Sequence, residues 1–293
     1  MQKNTLNTPN VRKSFQDLNL YDDFLFGKTM QDPDILKPVL ESILRFKIAK
    51  VEPVDLQKSL DVRYGSHGIR LDVYAADAEN SRFAVEMQAQ EKYNVLKRSR
   101  YYHSVMDIDE LLKGQDYNDL KDNYVIFICV YKLFDSELHQ FNYRSTCRQL
   151  PRLPAEGRET ILLSTEGTAD DITPDLKAFL RYVKSSTDET AAQLNNNLID
   201  RIHDRVKKIK QNQQLEVEYL KFEELLKESR AEGIELGRSE GIDLGRTEGI
   251  YAFIAEFTEE GIPKERIIEK LVKRFSLTSE NAEDYYNTYT ASV

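Results

Sequence analysis

Two short runs alternate polar and apolar residues along the chain. The first is Ile69-Arg70-Leu71-Asp72-Val73-Tyr74-Ala75 and the second is Phe83-Ala84-Val85-Glu86-Met87-Gln88-Ala89. A period of two is the signature of a strand with two different faces. The turn-like stretch from Ala76 to Ser81 lies between them and suits a hairpin. With the turn centred on Glu79, Asp72 faces Glu86 and Arg70 faces Gln88. Side chains alternate across a strand, so Asp72, Glu86 and Gln88 share one face. Leu71, Val73, Phe83, Val85 and Met87 take the other face. The pattern predicts a half-buried hairpin with its acidic residues on the polar side.

The flanking segments follow other periods. Asp34 to Phe46 spaces Ile35, Leu36, Val39, Leu40, Ile43, Leu44 and Phe46 as an amphipathic helix. Lys50 to Leu60 reads as a first strand of weaker pattern. Asn94 to Lys113 reads as a helix stopped by Gly114. Tyr124 to Tyr131 is a near-continuous apolar run, as expected of a strand covered on both faces. Pro174 to Lys184 predicts a short helix, and Asp188 to Leu226 a long polar one that carries the basic patch Arg201 to Lys210. Residues 231–250 repeat with period eight, placing glycine at 233, 237, 241, 245 and 249. This segment reads either as a helical oligomerisation stalk or as a flexible linker. A helix from Pro263 to Phe275 and another from Ser279 to Tyr289 complete a small tail module. The expected organisation is a core domain over 15–170, a helical extension over 171–230, the glycine repeat over 231–250 and the tail over 251–293.

Two carboxylates opposite each other across a hairpin repel unless a cation joins them. A hard divalent ion such as Mg2+ favours oxygen ligands. The bland alternative is an exposed acidic pair screened by solvent and nearby lysines. The order of elements decides between them. Helix, three strands, helix, strand, with an acidic residue on the second strand and Glu-x-Gln on the third, resembles the PD-(D/E)xK nuclease fold. The likeness is closer to the Rpn family of recombination-promoting nucleases, also named PD-(D/E)xK family putative transposases. Tyr21 to Gly27 resembles that family's opening. Arg70 to Val73 and Val85 to Gln88 match its two catalytic strands, and Arg98 to Tyr102 its Arg-to-Tyr helix signature. Glu159 to Gly167 resembles its closing strand, and the Glu-Gly-Ile repeats a frequent tail. The resemblance covers roughly residues 15–250. Gln88 stands where the general fold pattern has Lys, as is common in the Rpn family. Leu71 replaces the proline that precedes the first acidic residue.

The resemblance implies an α/β, restriction-endonuclease-like core, a mixed sheet flanked by helices, with a helical C-terminal extension. It implies metal-dependent hydrolysis of DNA phosphodiesters. Asp72 and Glu86 would hold Mg2+, or another divalent cation such as Mn2+ or Ca2+, with the Met87 carbonyl as a further ligand and Glu41 as a candidate one. Gln88 would orient the attacking water. Arg98 and Arg100 are candidate contacts to the DNA backbone, with a solvated helix face as the plain alternative. Tyr102 reads as core. The other class of function is a catalytically silent DNA-binding or assembly protein on the same fold, and an RNA-directed nuclease is a third reading.

Composition changes this picture in few places. The net charge is -9, which is unusual for a DNA binder. Residues 1–160 carry 23 Lys+Arg against 24 Asp+Glu, whereas 161–293 carry 18 against 26. The acidity therefore lies mainly outside the predicted nuclease domain, and bound Mg2+ would offset the acidic pair. No broad basic stripe is present, so DNA affinity is expected to be modest and strongly salt-dependent. No apolar run is long enough to span a membrane. Met1 to Thr5 lacks a signal-peptide core. Two cysteines fit a reducing cytoplasm, with Cys129 in inert core. His67, beside Gly68, reads as a loop histidine.

Overall fold

The structure, a computed structural model, describes residues 13–52, 55–60, 69–91, 93–152 and 156–292. His67 and Gly68 lie outside them. Two compact units are present, Met1–Tyr219 and Leu220–Val293. No helix among the described residues is long and apolar enough to cross a membrane.

In the first unit, helices α1 (Asp23–Met30) and α2 (Pro33–Leu44) precede strands β1 (Asp55–Leu60), β2 (Ile69–Ala76) and β3 (Arg82–Gln88). Then come α3 (Val95–Glu110), β4 (Asn123–Cys129), β5 (Gln140–Arg144), β6 (Arg158–Ser164), α4 (Pro174–Lys184), α5 (Asp188–Leu194) and α6 (Asn197–Lys210). The strands form one six-stranded mixed sheet in the order β1-β2-β3-β4-β6-β5. β1, β2 and β3 run antiparallel as a meander. β4 is parallel to β3 and to β6, and β5 is an antiparallel edge on β6. Parallel neighbours need a crossover, and α3 supplies the one between β3 and β4. This is the α/β core that the resemblance implies.

β4 is buried at every position, because α3 covers one face of the sheet and helices pack on the other. On the α3 side, Tyr74, Ala84, Val125, Phe127 and Leu162 meet Tyr102, Val105 and Met106 in one cluster. The buried His103 ring pins α3 to the sheet. Its Nδ1 pairs with Asn123 Oδ1, and its Nε2 lies 2.9 Å from Thr160 Oγ1. α2 starts on the side chain of Asp32, which accepts the Asp34 N–H at 3.0 Å, with Pro33 as its first residue. Pro38 inside that helix has no N–H to give to the Asp34 carbonyl. Arg201 of α6 donates to that carbonyl instead, which ties the two helices together.

Several boundaries differ from the periodic reading. The predicted first strand shortens to Asp55–Leu60, with an isolated bridge between Val51 and Asp77. The long polar segment after Asp188 is broken where Asn195 enters the left-handed region at φ 44°, and again at Gln211 and Asn212. β5 is mostly exposed, and its polar and aromatic residues alternate over only five positions, Gln140 to Arg144. The glycine repeat is fully helical, inside α7 (Gln213–Glu259), a helix of 47 residues. In the second unit, the end of α7 packs with α8 (Lys264–Phe275) and α9 (Ser279–Ser292) around Ile250, Ile254, Ile267, Leu271 and Ala282. Thr278, rather than Ser279, caps α9, since its Oγ1 accepts the Asn281 N–H at 3.2 Å.

Candidate active site

The site grows from the β2–β3 hairpin. Asp77 closes the turn, its Oδ1 accepting the N–H groups of Glu79 and Ser81 at 2.9 Å each. Asn80 takes the left-handed conformation at φ 66°, which asparagine tolerates well. Ala76 then pairs with Arg82, and the ladder continues through Tyr74 with Ala84 to Val73 with Val85. One step further this register sets Asp72 against Glu86. There the backbone ladder gives way to side chains. Glu86 Oε1 accepts the Asp72 N–H at 3.0 Å, and Asp72 Oδ2 accepts the Met87 N–H at 2.9 Å. Each carboxylate therefore spends one oxygen on the opposite strand.

The face that carries this pair is not open to solvent. Half-burial fails here because α3 lies over the polar side of the hairpin, and Glu86 is only 2% exposed. Burial, together with the facing Asp72, pushes the Glu86 carboxyl up to about 8. Burial raises Asp72 to about 6, against the Met87 N–H that favours its charged form. Two carboxylates that resist joint ionisation at neutral pH are what a cation site or an acid-base pair requires.

One cation already stands over them. The Arg98 guanidinium approaches Glu86 Oε2 at 3.7 Å. It donates to Gln88 Oε1 at 2.5 Å and to the Tyr102 hydroxyl at 2.9 Å. It also rests against the rings of Tyr102 and Phe127, 5.5 and 5.2 Å from their centroids. Arg98 and Tyr102 are four residues apart and so share one stripe of α3. The Gln88 side chain is thus occupied at both ends, since its Nε2 donates to the Met87 carbonyl at 2.8 Å. Arg100 points elsewhere and is exposed.

Glu41 has a different occupation. Its oxygens accept the Ile48 N–H at 3.0 Å and meet Lys47 Nζ at 3.1 Å. Burial raises this carboxyl, but the Ile48 and Lys47 bonds outweigh it and hold the group below its ordinary value. The further carboxylate whose charge reaches the pair is Asp23, at the start of α1. It raises both Asp72 and Glu86. The Asp22-Asp23 doublet was visible in the opening motif. The helix that aims Asp23 was not, because α1 is too short to display a periodic stripe.

The pair fits a hard cation chemically. Glu86 Oε2 has no neutral donor, and Asp72 Oδ1 has no hydrogen-bond partner among the described residues. Both are oxygens, as Mg2+ prefers. No group of three or more His, Cys, Asp or Glu with metal-binding geometry occurs among the described residues. Cys129 is fully buried, and burial pushes its thiol up to about 11, so it is chemically quiet.

No curated protein and no solved structure matches the chain. A family model does match, over residues 23–148, from Asp23 at the start of α1 to just past β5. That span contains Asp72, Glu86, Gln88 and Arg98, and over it the chain is similar to the PD-(D/E)XK nuclease family transposase.

Proposed function

We propose that this chain is a metal-dependent DNA endonuclease of the Rpn type, which hydrolyses phosphodiester bonds in DNA recombination or in mobile elements. The observation that carries the reading is the cross-strand pair Asp72–Glu86. Each carboxylate is fixed by a backbone N–H of the opposite strand, and among the described residues each keeps an oxygen that accepts no hydrogen bond. Asp72 and Glu86 would hold Mg2+, or Mn2+ or Ca2+ in its place. When bound, such an ion polarises the scissile phosphate and lowers the pKa of a water. The protein's part is to hold the two carboxylates in register. Arg98 offsets their repulsion and fixes Gln88, whose amide must leave the Met87 carbonyl before it can orient a water or expose that carbonyl. The exposed Arg100 would contact backbone phosphates, which position DNA without reading its sequence.

One observation favours the second reading, a catalytically silent DNA-binding or assembly protein. Arg98 already supplies positive charge to Glu86 and engages Gln88. A resident arginine can stand where a metal would. Supercoiled plasmid incubated with wild type, Asp72→Asn and Glu86→Gln, in Mg2+ and in EDTA, separates the two. Cleavage that needs Mg2+ and vanishes in both variants supports the nuclease. A gel shift without cleavage, with no heat of Mg2+ binding, supports the silent form.

A further inference from the structure

The stretch of α7 from Arg230 to Glu248 reads nearly the same in both directions. About Ser239, Gly233 mirrors Gly245, Ile234 mirrors Leu244, Leu236 mirrors Ile242 and Gly237 mirrors Gly241. Arg230 mirrors Glu248, with opposite charge. Ile234, Leu236, Ile242 and Leu244 are 65, 62, 60 and 62% exposed. Ile234 and Leu244 lie on the face away from Ser239, whereas Leu236 and Ile242 lie on the Ser239 side, and exposed aliphatics of this size fit an interaction surface.

A helix turns about 100° per residue. With Ser239 at the back, Gly233, Gly237, Gly241 and Gly245 fall within roughly 60° of the opposite direction. Ile234 and Leu244 lie among them, and Arg230 and Glu248 lie on the same line, one at each end. A Cβ added to any of these four glycines would meet nothing within 4 Å. Within the described residues, then, nothing packs closely against this face. Glycine also weakens a helix interior, so four of them at this spacing call for a close-packed partner.

We propose that this face joins two copies of the chain as an antiparallel helix pair, with the two-fold axis level with Ser239. Charge complementarity selects the partner and its direction. An antiparallel copy brings Arg230 to Glu248 of the partner subunit at both ends. A parallel copy would bring Arg230 to Arg230 and Glu248 to Glu248. The same patch serves both copies, as a two-fold interface requires. Ile234 then packs beside Leu244 of the partner subunit, and the glycines let the two backbones approach.

The test is sedimentation of the full chain over a concentration series, with helix content followed by circular dichroism. Wild type is expected to dimerise. Arg230→Glu and Glu248→Arg should each weaken the dimer roughly tenfold or more, and the double exchange should restore it. Gly237→Leu with Gly241→Leu should preserve or raise helix content, because leucine is the better helix former, and still lose the dimer. A monomer at every concentration overturns the proposal, as does a dimer indifferent to these changes. Tighter association of Arg230→Glu would also overturn it, since an antiparallel pair sets that glutamate against Glu248 of the partner subunit.

Discussion

Glu86 is the group whose charge this fold resists most, and the pH dependence of stability measures that resistance. A carboxyl held above its unfolded value binds its proton more tightly in the folded chain. Its stabilising contribution is therefore complete below the unfolded pKa and is lost as pH rises through the folded one. For Glu86 the window runs from 4.5 to about 8, and for Asp72 from 3.8 to about 6. At about 1.4 kcal/mol per pH unit, the span from 4.5 to about 8 sets a ceiling near ~5 kcal/mol for Glu86. Relaxation of the strands and entry of water lower this, and ~2–3 kcal/mol is expected between about pH 5 and about pH 8. His103 acts with the opposite sign. Burial holds its imidazole below 6.5, so its contribution is lost as pH falls. The comparison must therefore be made against Glu86→Gln, whose side-chain oxygen can still accept the Asp72 N–H while carrying no charge. Urea unfolding of both proteins at the two pH values is the assay. Wild type should lose ~2–3 kcal/mol more than the variant on going from the lower to the higher pH. Parallel pH profiles would refute the account of a strained acidic pair. Mg2+ added at the higher pH should restore wild type and leave Glu86→Gln unchanged, because a ligand stabilises only the state that binds it.

Three further outcomes follow from the same geometry. Arg98→Met removes the cation beside Glu86 and should cost on the order of 3 kcal/mol at about pH 8, with a much smaller cost at about pH 5, read by thermal unfolding. Asp23→Asn removes one of the charges that raise Asp72 and Glu86. It should move the stability window to lower pH, and titration calorimetry should show weaker Mg2+ binding if Asp23 helps attract the ion. Phe127→Ala empties a fully buried position between α3 and the sheet. It should cost ~3–5 kcal/mol in urea unfolding and also loosen Arg98, which rests on that ring.

The register of the hairpin was legible in the sequence. A period of two and a turn closed by Asp77 leave little freedom, since a slip of one residue would invert every side chain. The mirrored pair Val73 and Val85 is the one the turn predicts. The exposure of the acidic face was not legible. Alternation shows that two faces differ, but it does not show what lies over the polar one. α3 covers it because Tyr102, Val105 and Met106 dock on Tyr74, Ala84, Val125 and Phe127, a long-range contact that no local period encodes. The edge strand β5 does alternate, Gln140-Phe141-Asn142-Tyr143-Arg144, but five residues are too few to stand out. Its pairing to β6 is set by its neighbour, and its own side chains are mostly exposed. In α7 the glycines lowered the helix propensity of the repeat, yet the helix runs through them.

The role of Gln88 shows most clearly what spacing cannot supply. On the strand it shares a face with Glu86, and that much follows from parity. Its partners do not. Arg98 lies ten residues on, past the start of α3, and reaches Gln88 only because His103, the residue after Tyr102, is held by Asn123 and Thr160. That docking sets the helix at the height where one guanidinium meets Gln88, Glu86 and Tyr102 together. A lysine at position 88 would face this arginine, and like charges so close would repel. Glutamine instead offers Arg98 an acceptor and the Met87 carbonyl a donor. The glutamine in Glu-x-Gln and the arginine in the helix signature are therefore two halves of one arrangement, and replacing either alone should disturb the other.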